Sequence, residues 1–178
     1  CEICLLEKIQ SDRIVNFTGL KSFVSTAWGF PRDLKVTELG PNLYQFVIPD
    51  EDIRERVVNG GPWILDNQLL VLCKWYEGIE DDPEAFKMAQ LWVQMWNLPV
   101  HCLSKDVGKK IGKTVFRGVN EAIIPQTCGK EGRHLKVHVV ADISRPLPRG
   151  STVKMNGVMK WIKFWYERCS KCCYVCGS

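Results

Sequence analysis

Two thiols three positions apart, Cys173 and Cys176 in CCYVCGS (172–178), have the spacing of one edge of a tetrahedral zinc site. A structural zinc takes four ligands, and the sequence ends at Ser178 before two more can follow. Cys1 and Cys4 form a second such pair, which could join the first in a Cys4 site, although Cys4 falls at the start of the first expected strand. Two thiols alone hold zinc weakly, so the cofactor expected here is zinc only if ligands lie beyond Ser178, and otherwise none. The first residue is Cys1 rather than Met, so the chain is expected to be a piece of a longer one.

A second constellation is cationic. Lys105, Lys109, Lys113 and Arg117 recur every four residues, with Lys110 at the edge of their arc, while Val107, Ile111 and Val115 point the other way. That is an amphipathic helix with a basic stripe. Arg145 and Arg149 follow in a loop, and Lys154, Lys160, Lys163 and Arg168 come later. Cations in this number suit a phosphate polymer. Four contacts to a single strand give a log–log salt slope of about −3.

Aromatic residues supply the third. In LWVQMW (91–96) the aliphatic Leu91, Val93 and Met95 alternate with Trp92, Gln94 and Trp96. The aliphatic face suits a core, which leaves the two indoles to stack on bases or to join the halves of the chain. In LYQFVI (43–48) the same alternation sets Tyr44, Phe46 and Ile48 on one apolar face, so Tyr44 and Phe46 belong to the core.

Catalysis has little to draw on. His101, His134 and His138 make no metal-ligand spacing with a carboxylate, and His134 and His138 simply share one face of a strand. There is no phosphate-binding glycine loop and no nucleophile with an identifiable base. The chain is expected not to be an enzyme and to take no small-molecule substrate.

The elements that must hold these residues follow from period and punctuation. Hydrophobic residues make up 46% and charged residues 25% of 178, as in a soluble domain, and no apolar run is long enough for a membrane span. Nine cysteines in no even framework point to a reducing compartment, hence an intracellular protein of nucleus or cytoplasm. Residues 1–100 carry a net charge of −6 and residues 101–178 one of +10. A split of that size marks a polyanion-binding half, or two halves that attract each other.

Strand 5–10, a helix capped by Asn16, strands 34–39 and 43–48, a helix from 50 to 58 and a strand after Trp63 with a possible Asp66-Asn67 turn make the order β-α-β-β-α-β. This is the split βαβ arrangement, four strands with both helices on one face. The fold class is therefore α+β, an RRM-like (ferredoxin-like) first unit packed with a second β-rich α+β unit. The domains read as 1–80 for the first unit, 81–90 for an acidic linker, 91–168 for the basic unit and 169–178 for the cysteine-rich end. The second half echoes the first as strand, helix and two strands, without a clear fourth and fifth match. Asn156-Gly157 marks a hairpin near its end.

The runs VVNGGPWILDNQLLVLCKW (57–75), LWVQMWNLPVHCLSKDVGKKIG (91–112) and WIKFWYERCSKCCYVCG (161–177) together resemble a plant domain of unknown function that precedes a CCHC zinc knuckle. That pair occurs in nucleic-acid-binding proteins of LINE-type non-LTR retrotransposons. Cys173, Cys176 and Gly177 match the start of the knuckle pattern C-x2-C-x4-H-x4-C. The resemblance implies a retrotransposon-derived, non-catalytic module that binds nucleic acid, single-stranded RNA before DNA, with zinc in the completed knuckle. The residues expected to carry binding are Lys105, Lys109, Lys110, Lys113, Arg117, Arg145, Arg149, Trp92 and Trp96. The alternative is a self-association or protein-interaction module that uses the acidic and basic halves, with a homo-oligomer as its product.

Overall fold

Helix starts fall where polar side chains can cap them. The computed structural model describes residues 4–9, 13–126 and 133–168. The Asn16 side chain accepts from the Gly19 amide (3.1 Å) at the head of α1 (Phe17–Ala27), and Asp50 accepts from the Ile53 amide (3.0 Å) at the head of α2 (Glu51–Asn59). Each cap satisfies an amide that the first helical turn leaves without a partner. Between and around these helices run β1 (Cys4–Ile9), β2 (Lys35–Gly40), β3 (Leu43–Val47), β4 (Trp63–Leu65) and β5 (Gln68–Lys74). Asp66 and Asn67 both take positive φ, 48° and 63°, and turn the chain between β4 and β5. The turn splits the single strand expected after Trp63 in two, so the sheet has five strands rather than four, in the order β2-β3-β1-β5-β4.

The chain divides into two compact units, Cys1–Ala89 and Gln90–Ser178. In the first unit one sheet face packs under the helices. Leu5, Ile9, Tyr44 and Phe46 from the sheet meet Leu20, Val24 and Trp28, all buried, so Tyr44 and Phe46 are core as their alternation predicts. Each such side chain contributes about 1.5–3 kcal/mol of burial. Glu7 lies on this same face, between Tyr44 and Leu72 in register, fully buried. Neither carboxylate oxygen has a hydrogen-bond partner among the described residues, and burial pushes the group up to about 8.

The other face of this sheet is covered too. Ile79 and Ala85 bury against Leu6, with Cys73, Trp75 and Phe86 around them, and the Cys73 thiol donates to the Ala85 carbonyl (3.1 Å). The acidic segment expected as a linker over 81–90 is thus folded onto the sheet through residue 86. Asp81 and Glu84 are exposed while Ala85 anchors it, with Ile79 just before it. The strand that follows begins earlier than its aliphatic pattern suggests, at Met88.

The second unit comprises β6 (Met88–Trp96), α3 (Lys105–Val115), β7 (Gly118–Ile123), β8 (Leu135–Asp142), β9 (Gly150–Met155) and β10 (Val158–Tyr166). Ser104 caps α3 by accepting from the Val107 amide (3.2 Å). Asn156 and Gly157, at φ 50° and 82°, close the β9–β10 hairpin as their pairing predicts. The sheet order is β7-β8-β6-β10-β9, which is the order of the first sheet strand for strand. The echo between the halves is therefore complete in the strands. What differs is the position of α2, where the second unit has the loop 143–149. Pro146 and Pro148 in that loop remove amide donors and restrict the residues before them, so no helix forms.

Candidate nucleic-acid interface

Three strands of the second sheet alternate, except that His138 of β8, on the opposite face, is buried as well. Leu91, Val93 and Met95 of β6, Leu135, Val137 and Val139 of β8, and Ile162, Phe164 and Tyr166 of β10 are all buried. This is the face under α3, whose Gly108 and Gly112 come so near the sheet that an added Cβ would stand 3.1 Å from Val137 and 2.7 Å from Val119. The opposite face carries Trp92, Gln94 and Trp96 of β6, His134, Lys136 and His138 on and just before β8, and Trp161, Lys163 and Trp165 of β10. Register confirms the sharing, since Trp165 pairs with Gln94 and Lys163 with Trp96. Thr152 pairs with Trp161 and brings β9 into the same surface. No helix among the described residues of this unit covers it.

The rings on this face are prearranged. The Trp92 and His138 rings stack with centroids 4.7 Å apart and planes 17° from parallel, and Trp96 and His134 do the same at 4.5 Å and 21°. Trp96 Nε1 donates to Gln94 Oε1 (3.0 Å), and Gln94 Nε2 donates to Glu167 Oε1 (2.8 Å). Lys136 closes the network, 2.9 Å from Glu167 Oε2 and 5.4 Å from the Trp92 ring centroid. Burial pushes the His138 imidazole below its ordinary range against the opposing pull of Glu121. Asn120 Nδ2 lies 3.5 Å from His138 Nδ1, which fits Nδ1 as the acceptor.

Trp161 and Trp165 stand further out, 54% and 43% exposed. Trp161 lies across Gly150, where a Cβ would come within 2.5 Å of its ring, so only glycine admits the indole there. Four residues of strand span about 13 Å, and Lys163 sits midway between the two rings, its Nζ 5.7 Å from the Trp165 centroid. Exposed indoles with cations at their edges are a surface on which nucleic-acid bases stack and phosphates are neutralised.

Of the residues expected from sequence, Trp92 and Trp96 belong to this surface. Lys105, Lys109, Lys110 and Lys113 are exposed on the outer side of α3, with the sheet between them and the indoles. Arg117 follows α3 and is exposed, its amide donating to the Val140 carbonyl (3.0 Å). Arg145 is exposed 3.9 Å from Asp142, and Arg149 leads into β9. The cations therefore divide between two sides of the unit, the α3 lysines on one and Lys136 and Lys163 on the other. A helix packed by its apolar stripe must turn its lysines away from the sheet. Lys163 is among the later cations named from sequence, whereas Trp161, Trp165 and Lys136 are not, although Ile162, Phe164 and Tyr166 alternate with the outward residues as regularly as the aliphatic residues of β6 do.

Cys173 and Cys176 lie outside the described residues. Among those described, no cluster of three or more His, Cys, Asp or Glu could hold a metal ion. None of the described helices is long and apolar enough to cross a membrane.

A family model described as "Domain of unknown function (DUF4283)" matches residues 1–82, most of the first unit. No curated protein matches the chain. Among solved structures, one described as "Structure of the RNA binding domain of Hrp1 in complex with RNA" is similar at 11% identity and a TM-score of 0.34, over 93% of this chain and 96% of that one.

Proposed function

We propose that this chain is a non-catalytic module for single-stranded nucleic acid, RNA before DNA, and that the open face of its second sheet is the binding surface. The observation that carries the reading is the gathering of four indoles and two imidazoles on one side of β6, β8 and β10, with the exposed pair Trp161 and Trp165 flanking Lys163. Bases stack on the two exposed rings, the Trp92–His138 and Trp96–His134 pairs extend the platform, and Lys163 and Lys154 take phosphates at its edge. Phosphate contact through the α3 lysines becomes secondary, because a strand lying on the indoles passes on the other side of the sheet. The retrotransposon origin implied by the resemblance belongs to this proposal as context, and zinc takes no part in it.

Fluorescence anisotropy with labelled single-stranded RNA of about a dozen nucleotides tests the reading. Stacking is worth about 1–3 kcal/mol per base, so Trp161→Ala and Trp165→Ala each weaken binding by about fivefold to a hundredfold. Reversing Lys105, Lys109 and Lys113 to Glu changes the salt slope and lowers affinity less. Retained affinity in both Trp variants, with loss in the lysine variant, contradicts the placement of the surface.

A further inference from the structure

The two sheets share one strand order, but among the described residues only the first has two α-helices on its inner face. In the first unit α2 lies over the β4–β5 side: Trp63 Nε1 of β4 donates to the Val57 carbonyl (2.8 Å), and Glu55 pairs with Lys74 of β5. The equivalent strands of the second unit are β9 and β10, and nothing helical lies over them among the described residues. In that position there is a cleft of about 320 Å³ between α3 and β9. Val107, Ile111 and Val115 form one wall and Val153 and Met155 the other. Val158, paired with Met155 on the same side, is 58% exposed. The turn between β9 and β10 closes one end, where Asn156 Nδ2 lies 3.2 Å from His101 Nε2.

The rim is positive. Lys110 lines the cleft, and Lys160 is exposed on β10, opposite Val153 in register and so on the inner side. Asp106, one turn before Lys110, is the carboxylate of α3 nearest this rim. The helix that fills the corresponding place in the first unit opens with Glu51 and Asp52 and sends Glu55 to a strand lysine. From the vacant helix position, its apolar walls and its cationic rim together, we infer that the cleft receives an amphipathic helix of a partner protein, with aliphatic residues on one face and carboxylates along its flanks. The inference is independent of the nucleic-acid surface, which is on the other side of the sheet.

The probe is a fluorescein-labelled synthetic helix of about four turns, with leucines at i, i+3, i+4 and i+7 and glutamates on both flanks. Its twin carries lysines in place of the glutamates. Titrated with the full chain, the glutamate peptide is expected to bind at least about tenfold more tightly than its twin. Val153→Glu, which puts a charge in the apolar wall, weakens it at least about tenfold while RNA binding is kept, and Lys110→Glu, an exposed change that leaves folding intact, also weakens it at least about tenfold. No binding of the glutamate peptide, equal binding of the twins, or binding that Lys110→Glu leaves unchanged overturns the inference. A concentration-dependent dimer in sedimentation that Val153→Glu dissolves also overturns it, because the cleft then belongs to a second copy.

Discussion

A carboxyl group buried in a hydrophobic core with no hydrogen-bond partner among the described residues is an unusual residue to place, and Glu7 is one. It is protonated in the folded state up to about pH 8, whereas the unfolded chain releases that proton near 4.5. The folded form therefore binds the proton more tightly. Its contribution is fully present below about 4.5 and is lost as pH rises toward about 8. Holding the group neutral at pH 7 costs on the order of 3 kcal/mol. Glu7→Met is expected to raise the urea midpoint of the first unit strongly at pH 8 and much less at pH 4, with Tyr44, the titratable neighbour across the ladder, left in place. An equal gain at both pH values would show that the carboxyl does not titrate in the core. Nothing in CLLEKI marks Glu7 as buried. Only the register of three strands puts a single acidic residue between Leu5 and Ile9 on the inner face.

At the level of elements, α3 shows how a helix with little bulk can hold a sheet. Gly108 and Gly112 let it approach β7 and β8 at close range. Alanine is worth about 1 kcal/mol over glycine in a helix interior. At Gly112 a Cβ would meet Val119 Cγ2 at 2.7 Å, so packing opposes propensity. Gly112→Ala is expected to lower the stability of the second unit by about 1–3 kcal/mol in denaturant unfolding. A gain would mean that the helix–sheet spacing relaxes without cost. Caps and turns with a local mechanism were legible in the sequence, as Asn16 and Asn156-Gly157 show. The outward direction of Trp92 and Trp96 was legible from alternation. The packing of Ile79 and Ala85 onto the first sheet was not, because five nearby carboxylates hide two anchors whose partner, Leu6, is far away in sequence. The second unit's likeness to the first was equally hidden, since a missing helix breaks the expected order while leaving the sheet unchanged.

At the scale of the whole chain, one strand topology is used twice with its faces assigned differently. The first unit has helices on one face and its own acidic segment on the other, and its central strands present Leu6, Gln45 and Cys73 rather than aromatic rings. Among the described residues the second has one α-helix, none in the place of α2, and an open face rich in indoles. The charge split follows the same division, with net +10 over residues 101–178. Its cations nevertheless serve two sides, the α3 lysines near the cleft rim and Lys163 among the rings. Binding of single strands should therefore be only moderately salt-sensitive. Two or three phosphate contacts give a log–log slope of about −2, shallower than a continuous basic stripe would produce.

The most direct measurement is an indole ¹H–¹⁵N spectrum of the full chain titrated with single-stranded RNA, which reads all seven tryptophans separately. The indoles of Trp161 and Trp165 are expected to shift most, those of Trp92 and Trp96 to follow, and those of Trp28, Trp63 and Trp75 to stay in place. Shifts confined to the first-unit indoles, or saturating binding that moves none of the four on the second sheet, would contradict the assignment of that face as the nucleic-acid surface.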